Sequence, residues 1–469
     1  MAVERRVIVP LIVACALFMQ NLDSTALATA LPAIADSLHE SPVRLHLVIT
    51  SFMLSLAAFL PVSGWVADRF GARTIFRLAI FIFTCASIAC GLTDSVEMLM
   101  LARVVQGAGG ALMVPVGRLI LVRSVAKSEL IQAMALMGMP ALIGPIIGPL
   151  LAGVLITFAS WRWIFWINVP IGILGIVLVT IFIEDVREPD VKPFDWRGFA
   201  LSSLGLCGTL FGLDALTTHH KADPIAIAAV TVGLLSMALY VFHARRVDNP
   251  ILDLKLLKFP TLRVSVTGGS LFRIGVGAVP FLLPLMMQQG FGYTPIESGT
   301  ITFVSAAGSF GMRTMSRNVL RRFGFRKVLV WNTLIASFFM VACGLFTPES
   351  SRSFMMTIIC LGGVFRSLQF TALNTIAFAE IEGPLMSQAT SFSQMMQRLS
   401  LSLGVAVSAF VLFLVGGEAS PTPVHAFSTA FIVIGVLSAL SIFSFVKMSE
   451  GAGDEIAGRQ QVRSRRFDR

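Results

Sequence analysis

Two ionisable side chains sit where a water-soluble protein would not place them. Asp23 lies about 15 residues into an apolar run that begins near residue 8. Arg103 lies inside another, Leu101-Ala102-Arg103-Val104-Val105-Gln106-Gly107-Ala108-Gly109-Gly110. At 1.5 Å per residue, Asp23 is roughly 22 Å along a helix, near mid-bilayer. A charge there costs at least about 2.5–3.5 kcal/mol, so it must face protein or water. Apolar surroundings disfavour the ionised carboxylate, which equips it to take up and return a proton. An approaching arginine favours the ionised form, so a rearrangement that brings Arg103 to Asp23 would expel that proton. The alternative is a fixed ion pair that only packs two helices. Gln20 and Ser24 flank Asp23, and Gln106 lies one turn beyond Arg103, so each charge belongs to a polar stripe.

Three further patterns bear on mechanism. Gly64-Trp65-Val66-Ala67-Asp68-Arg69-Phe70-Gly71-Ala72-Arg73-Thr74 reads as a tight charged loop pinned between two apolar segments. Gly138, Pro140, Gly144, Pro145, Gly148, Pro149 and Gly153 share one span; proline kinks and glycine permits backbone contact, which suits a rocking interface between halves or ordinary close packing. In the C-terminal half, Arg273, Arg366 and Arg398 lie well inside apolar runs. Arg366, Gln369 and Asn374 form one stripe, and Gln394, Gln397, Arg398 and Ser402 another, each within about 140° of arc at helical period. A cavity lined by these stripes would hold more arginine than carboxylate and favour anionic or zwitterionic cargo. The counter-reading pairs the arginines with backbone carbonyls or with acids elsewhere.

The elements that position these residues follow from composition. Of 469 residues, 55% are hydrophobic and 13% charged, against roughly 25% charged in a soluble domain. With a mean hydropathy of +0.82, the chain needs lipid as its solvent. The +10 net charge does not report nucleic acid, because the basic residues fall in short clusters between apolar runs. Cys15, Cys85, Cys90, Cys207, Cys343 and Cys360 lie in apolar segments without metal-ligand or paired spacing and behave as small hydrophobes. No clustered catalytic groups or metal ligands are visible, so neither an enzyme nor a cofactor is expected beyond a proton as coupling ion. Arg5-Arg6 followed by an apolar run imitates a signal peptide, but Gln20, Asn21 and Asp23 interrupt it and it is long enough to span; it is read as the first span, uncleaved.

At about 20 apolar residues per span, fourteen candidates lie near 8–36, 45–67, 75–93, 98–121, 131–156, 163–183, 197–217, 224–243, 264–288, 297–318, 326–346, 354–378, 388–414 and 425–447. Alternate connections collect the basic residues: Arg69/Arg73/Arg77, Arg123/Lys127, Arg187/Lys192/Arg197, Arg245/Arg246/Lys255/Lys258 and Arg317/Arg321/Arg322/Arg326/Lys327. The opposite set holds single residues, Arg44, Arg162, Lys221 and Arg352. The basic face is therefore expected to be cytosolic, with both termini on it; the acidic turn Glu380-Ile381-Glu382-Gly383-Pro384 is the exception on that face. Arg322-Phe323-Gly324-Phe325-Arg326-Lys327 echoes Asp68-Arg69-Phe70-Gly71-Ala72-Arg73, as parallel repeats with a midplane substrate site would. The expected division is an N-terminal six-helix bundle (1–186), two inserted transmembrane helices with a linker (187–258), a C-terminal six-helix bundle (259–448), and a polar, disordered tail (449–469) carrying Arg463, Arg465 and Arg466.

Asn21-Leu22-Asp23-Ser24-Thr25 through Ala30-Leu31-Pro32, the Gly64–Thr74 segment, the Arg103 segment, Gly144-Pro145-Ile146-Ile147-Gly148-Pro149, and Trp161-Arg162-Trp163-Ile164-Phe165-Trp166-Ile167-Asn168-Val169-Pro170 occur in order along nearly the whole chain. Together they resemble the motifs of the fourteen-span drug:proton antiporters, the EmrB/QacA-like branch of the major facilitator superfamily, and within it the MdtD/HsrA-type members. The resemblance implies an all-α integral membrane protein with the major facilitator fold. It implies proton coupling by Asp23 and Arg103, and a cytosolic lock in the outward-facing state made by Gly64, Asp68, Arg69, Gly71 and Arg73. Asp68 would achieve this by sitting against the positive N-terminal end of span 13, near Gln388–Ser391. Gly144, Pro145, Gly148 and Pro149 would mark an exporter. Two departures stand out: Ala28 replaces a frequent asparagine, and Gly148-Pro149 replaces a usual Gly-Gly pair.

The expected activity is proton-coupled export of small amphipathic compounds from the bacterial inner membrane by alternating access. Gln20, Ser24, Gln106, Arg273, Arg366, Gln369, Asn374, Gln394, Gln397 and Arg398 are the candidate cavity residues. Expected partners are a small-molecule substrate, a proton and the bilayer, with no nucleic acid; the unit is a monomer, with or without accessory export proteins. An exporter of organic anions such as carboxylates, and a transporter-like sensor or channel, are the alternatives.

Overall fold

The computed structural model describes residues 2–39, 42–126, 129–184, 191, 193–218, 224–381, 385–416 and 423–457. Every regular element among them is helical. In hydrocarbon no water satisfies the backbone, and helices close their hydrogen bonds within one segment. In chain order they are α1 (Ala2–Leu38), α2 (Pro42–Phe59), α3 (Ser63–Phe70), α4 (Ala72–Leu92), α5 (Val96–Ser124), α6 (Leu130–Phe158), α7 (Trp163–Trp166), α8 (Asn168–Phe182), α9 (Trp196–Thr218) and α10 (Pro224–Arg246). The second half follows with α11 (Pro260–Leu285), α12 (Pro295–Phe323), α13 (Phe325–Cys343), α14 (Arg352–Ile376), α15 (Leu385–Gly416), α16 (Val424–Leu440), α17 (Ile442–Val446) and α18 (Asp454–Ala457).

Among the described residues, eleven helical segments are long and apolar enough to cross a membrane. The stretches expected at 131–156, 197–217 and 297–318 are helical, as α6, α9 and α12, but are not among the eleven. For α12 the reason is visible: serine, threonine and glycine fill its first half, and Arg313, Arg317, Arg321 and Arg322 its second. Large apolar side chains such as Leu101 and Phe158 are more than half exposed, as a lipid-facing surface requires.

Within the first half, α1 packs on α6, and α5 lies between α2 and α4. Glycine makes that approach possible: a Cβ on Gly107 would stand 2.6 Å from the Phe52 carbonyl oxygen. In the second half α12 packs on α14 and α11 on α15. The α9–α10 hairpin packs on itself, and α9 touches both α2 and α15.

Two expectations are corrected here. The 64–74 loop is mostly helix: α3 continues α2 through a 3-10 turn at Leu60–Val62, and α4 begins at Ala72. Gly71 makes the reversal at φ +92°, a conformation that strains any side chain; Gly324 repeats it at φ +80° between α12 and α13. The tail does not become disordered at 449. Residues 449–457 turn back, and α18 packs on α6 and α12 with Ile456 and Ala457 buried. Lys127, Arg187, Lys192, His219, His220, Lys221, Glu382-Gly383-Pro384 and the tail arginines Arg463, Arg465 and Arg466 lie outside the described residues.

Candidate functional site

The two charges that open the sequence reading meet inside the first half. Arg103 Nη1 lies 2.5 Å from Asp23 Oδ2, and both residues are 1% exposed. The remaining carboxylate oxygen accepts from Gln106 Nε2 at 3.0 Å and Asn168 Nδ2 at 3.3 Å. Gln106 Oε1 also accepts from Arg103 at 2.5 Å, and Gln106 Nε2 donates to Ser87 Oγ at 2.7 Å. The Arg103 guanidinium rests over the Phe52 ring, 4.3 Å from its centroid. Helices α5 and α8 thus donate to one carboxylate on α1, and Ser87 of α4 holds the two amides that reach it. Removing one partner of a buried pair costs about 3–5 kcal/mol, because the survivor keeps an uncompensated charge. Gln20 is buried nearby, with a Cβ on Gly110 falling 3.6 Å from its Nε2; Ser24 donates to the Gln20 carbonyl at 3.0 Å and is half-buried.

Asn168 and Ser87 were missed as site residues. Asn168 had a signal, being a polar residue opening the apolar α8. Ser87 had none, since a serine within a span usually bonds its own helix backbone.

A second constellation joins the two halves at the basic face. Asp68, 8% exposed, lies 3.2 Å from Arg123 Nη2 and accepts from the Ser387 hydroxyl in the first turn of α15. Ser63 and Ser391 share a 2.9 Å hydrogen bond. Gly64 lets α3 and α15 touch: a Cβ there would lie 2.8 Å from Ser391 Oγ and 2.9 Å from the Ser387 carbonyl oxygen. Arg317 Nη1 on α12 donates to Gln132 Oε1 on α6 at 2.6 Å. Of the other expected lock residues, Arg69 is exposed and Arg73 donates to the Thr180 carbonyl on α8. Arg123, which was not among them, pairs with Asp68.

The glycine face of α6 is divided between α1 and the other half. A Cβ on Gly144 would lie 3.0 Å from Asn21 Cβ, and one on Gly148 3.0 Å from Thr25 Cβ, both on α1. These glycines seat α1 beside α6, while the residue that admits the second half is Gly138, where a Cβ would strike the Arg313 guanidinium. The side chains of Pro140, Pro145 and Pro149 lie outside the described residues.

The C-terminal stripes split. Arg366 donates to Ser305 on α12. Gln369 is fully enclosed against α13, accepting from Asn332 at 2.8 Å and donating to Thr333 at 2.6 Å, so it does not line a space between the halves. Asn374 Oδ1 accepts from Arg273 Nη2 at 3.1 Å. An arc of about 140° spans more than one neighbouring helix, so residues on one stripe reach α11, α12 and α13 separately. Gln394 is 2% exposed and faces Arg118 of the first half; Gln397 and Arg398 are half-buried on α15.

A cavity of about 410 Å³ lies elsewhere, between α2, α3, α5 and the start of α9. Phe59, Trp65, Phe194, Trp196 and Phe199 line it with scarcely a polar atom, so it offers nothing to a proton.

The chain matches the Major Facilitator Superfamily over residues 13–256 and 266–466. It is 36% identical over 97% of both chains to MdtD of Escherichia coli strain 55989, a protein whose name proposes a role in multidrug resistance. It matches MdtD of Shigella sonnei and Shigella flexneri equally well. Its fold is similar to the crystal structure of the human organic anion transporter MFSD10, with a TM-score of 0.67 and 15% identity over 94% of this chain and 99% of that one. With its many apolar helices and this match along nearly its full length, the chain belongs to the major facilitator superfamily, and it is a multi-pass membrane transporter rather than an enzyme.

Proposed function

We propose that this transporter exports small amphipathic compounds in exchange for protons, by alternating access of two six-helix halves with α9 and α10 as an inserted pair. The fourteen spans of this reading place both termini on the cytosolic side of the inner membrane. Asp23 is the coupling residue. The observation that carries it is a carboxylate 1% exposed deep in the first half and saturated by Arg103, Gln106 and Asn168. With the basic face taken as cytosolic, contacts through Asp68, Ser387 and Ser391 close that side, and the conformation is outward-facing. A proton arriving from outside would discharge Asp23 and free Arg103, which loosens α1 from α5 and allows the halves to rock. Re-forming the pair expels the proton inward. One charge falling through 100 mV is worth about 2.3 kcal/mol, enough for a concentration ratio of roughly 40.

The relatives' name agrees with drug-like cargo. A second reading, export of organic anions such as carboxylates, is favoured by buried Arg273 and half-buried Arg366 in the second half, whose partners are neutral. The test is intracellular accumulation of dyes, drugs and organic acids, with and without a protonophore, in wild type and Asp23→Asn. Protonophore-sensitive efflux that persists in Asp23→Asn removes Asp23 from coupling. Flux indifferent to protonophores favours a channel, and absence of flux in proteoliposomes favours a sensor.

A further inference from the structure

We propose that Arg118 and Arg273, contributed one by each half, form an oxyanion-binding site between the halves, directly behind the closed contacts of the basic face. This rests on the exporter reading, and it assigns the anionic group of the cargo to a defined place.

Arg118 is on α5, 4% exposed, about six residues or roughly 9 Å from the end of the helix at Ser124. The partner it meets is neutral: with the Gln394 amide turned so that its oxygen faces the guanidinium, that oxygen accepts from Nη1 at 2.6 Å, Nη2 at 2.8 Å and Nε at 3.1 Å. Arg273 is on α11 and 1% exposed. Its side chain runs back along its own helix, Nη1 donating to the Ser265 carbonyl at 3.0 Å and Nη2 to Asn374 Oδ1 at 3.1 Å, while Nε has no hydrogen-bond partner. That return carries its head toward the start of α11 at the basic face, and both arginines flank α15: Arg118 meets Gln394 on it, while α5 and α11 both pack against it.

Among the described residues neither guanidinium has a carboxylate within ion-pair distance. The nearby acids are engaged: Asp23 holds Arg103, and Asp68 holds Arg123 and Ser387. Two cations buried with neutral partners repel, and they repel most when the halves meet, because α5 and α11 belong to different halves. An oxyanion placed between them converts that repulsion into two charge-assisted contacts and favours the closed basic face. A neutral molecule of the same shape cannot. Carboxylate and phosphate share the necessary chemistry.

The experiment is isothermal titration of the full chain in phosphatidylcholine nanodiscs with 2-naphthoate, 2-naphthyl phosphate and the uncharged 2-naphthamide. Both anions should bind and the amide should not. Arg118→Gln and Arg273→Gln should each weaken anion binding by about tenfold or more, the loss of one charge-assisted hydrogen bond. Arg118→Lys and Arg273→Lys keep the charge and should retain most of the affinity, which separates loss of binding from loss of fold; Arg352→Gln on the opposite face should change nothing. Competition from phosphatidylglycerol in the disc assigns the oxyanion to a lipid headgroup, and its absence assigns it to soluble cargo; either keeps the site. Equal binding of the amide, or unchanged affinity in both Gln variants, overturns it. Wild type that fails to bind the anions yet shows protonophore-sensitive efflux sinks this site alone. Anion binding without protonophore-sensitive efflux sinks the exporter reading alone.

Discussion

The two halves of the chain treat their buried acids and arginines differently. In the first half, among the described residues, Asp23 pairs with Arg103 and Asp68 with Arg123. In the second, Arg273 and Arg366 are held by carbonyl, amide and hydroxyl oxygens. The repeated turns show the same contrast: Gly71 follows an aspartate-bearing helix, whereas the helix before Gly324 carries Arg317, Arg321 and Arg322. A paired carboxylate can change its charge and so release its partner. An arginine on neutral partners cannot change its own charge and waits for an anion. On the proposed reading the first half supplies the titrating acid, while the cations that await an anion come from both halves, Arg118 from the first and Arg273 from the second.

The largest expected effect tests the paired half. Asp23→Asn should abolish protonophore-sensitive efflux and, by stranding Arg103, lower stability by about 3–5 kcal/mol. The double variant Asp23→Asn/Arg103→Gln should recover most of that stability in thermal unfolding while efflux stays lost. Recovery of efflux as well would mean the pair only packs helices.

Next comes the contact between halves. Gly64→Val inserts a side chain against Ser391 and the Ser387 carbonyl, an overpacking worth about 1–3 kcal/mol against the closed basic face. Thiol labelling of Ser391→Cys from that face should rise sharply in the Gly64→Val background. Ser387→Ala removes a hydrogen bond from Asp68 but leaves Arg123 in place, so it should weaken the closed state by about 1 kcal/mol, read as a smaller rise in the same labelling.

The smallest effect on stability sharpens the contrast most. Arg273→Gln removes a buried cation that has no acid, so thermal stability should be unchanged or slightly higher. A loss as large as that of Asp23→Asn would erase the distinction between the halves.

Asp23, Arg103 and Asp68 were legible because an ionisable residue inside an apolar run has few tolerable explanations. Arg118 gave the same signal but was passed over beside the more conspicuous Arg103 motif. The glycines of α6 were legible as a packing face, yet nothing local says which neighbour fills it; the structure puts α1 against Gly144 and Gly148 and the second half against Gly138. Gln369 shows the limit of periodicity, since a stripe gives a direction around one helix but no depth or partner. The start of the tail misled for a related reason: Ile456 and Ala457 are too few to read as an apolar face, and only α6 and α12 nearby make their burial worthwhile.

From its residues alone the chain determined lipid as its solvent, helices as its elements, a basic face and an opposite one, and two charges that needed shelter. Those follow from transfer free energies that act on each segment separately. Tertiary structure decided which arginine meets which acid, which face of each glycine helix is filled, and that Arg118 and Arg273 approach from different halves. Such outcomes depend on contacts between residues far apart in the chain, where a few ångströms decide whether two charges attract through a ligand or merely repel.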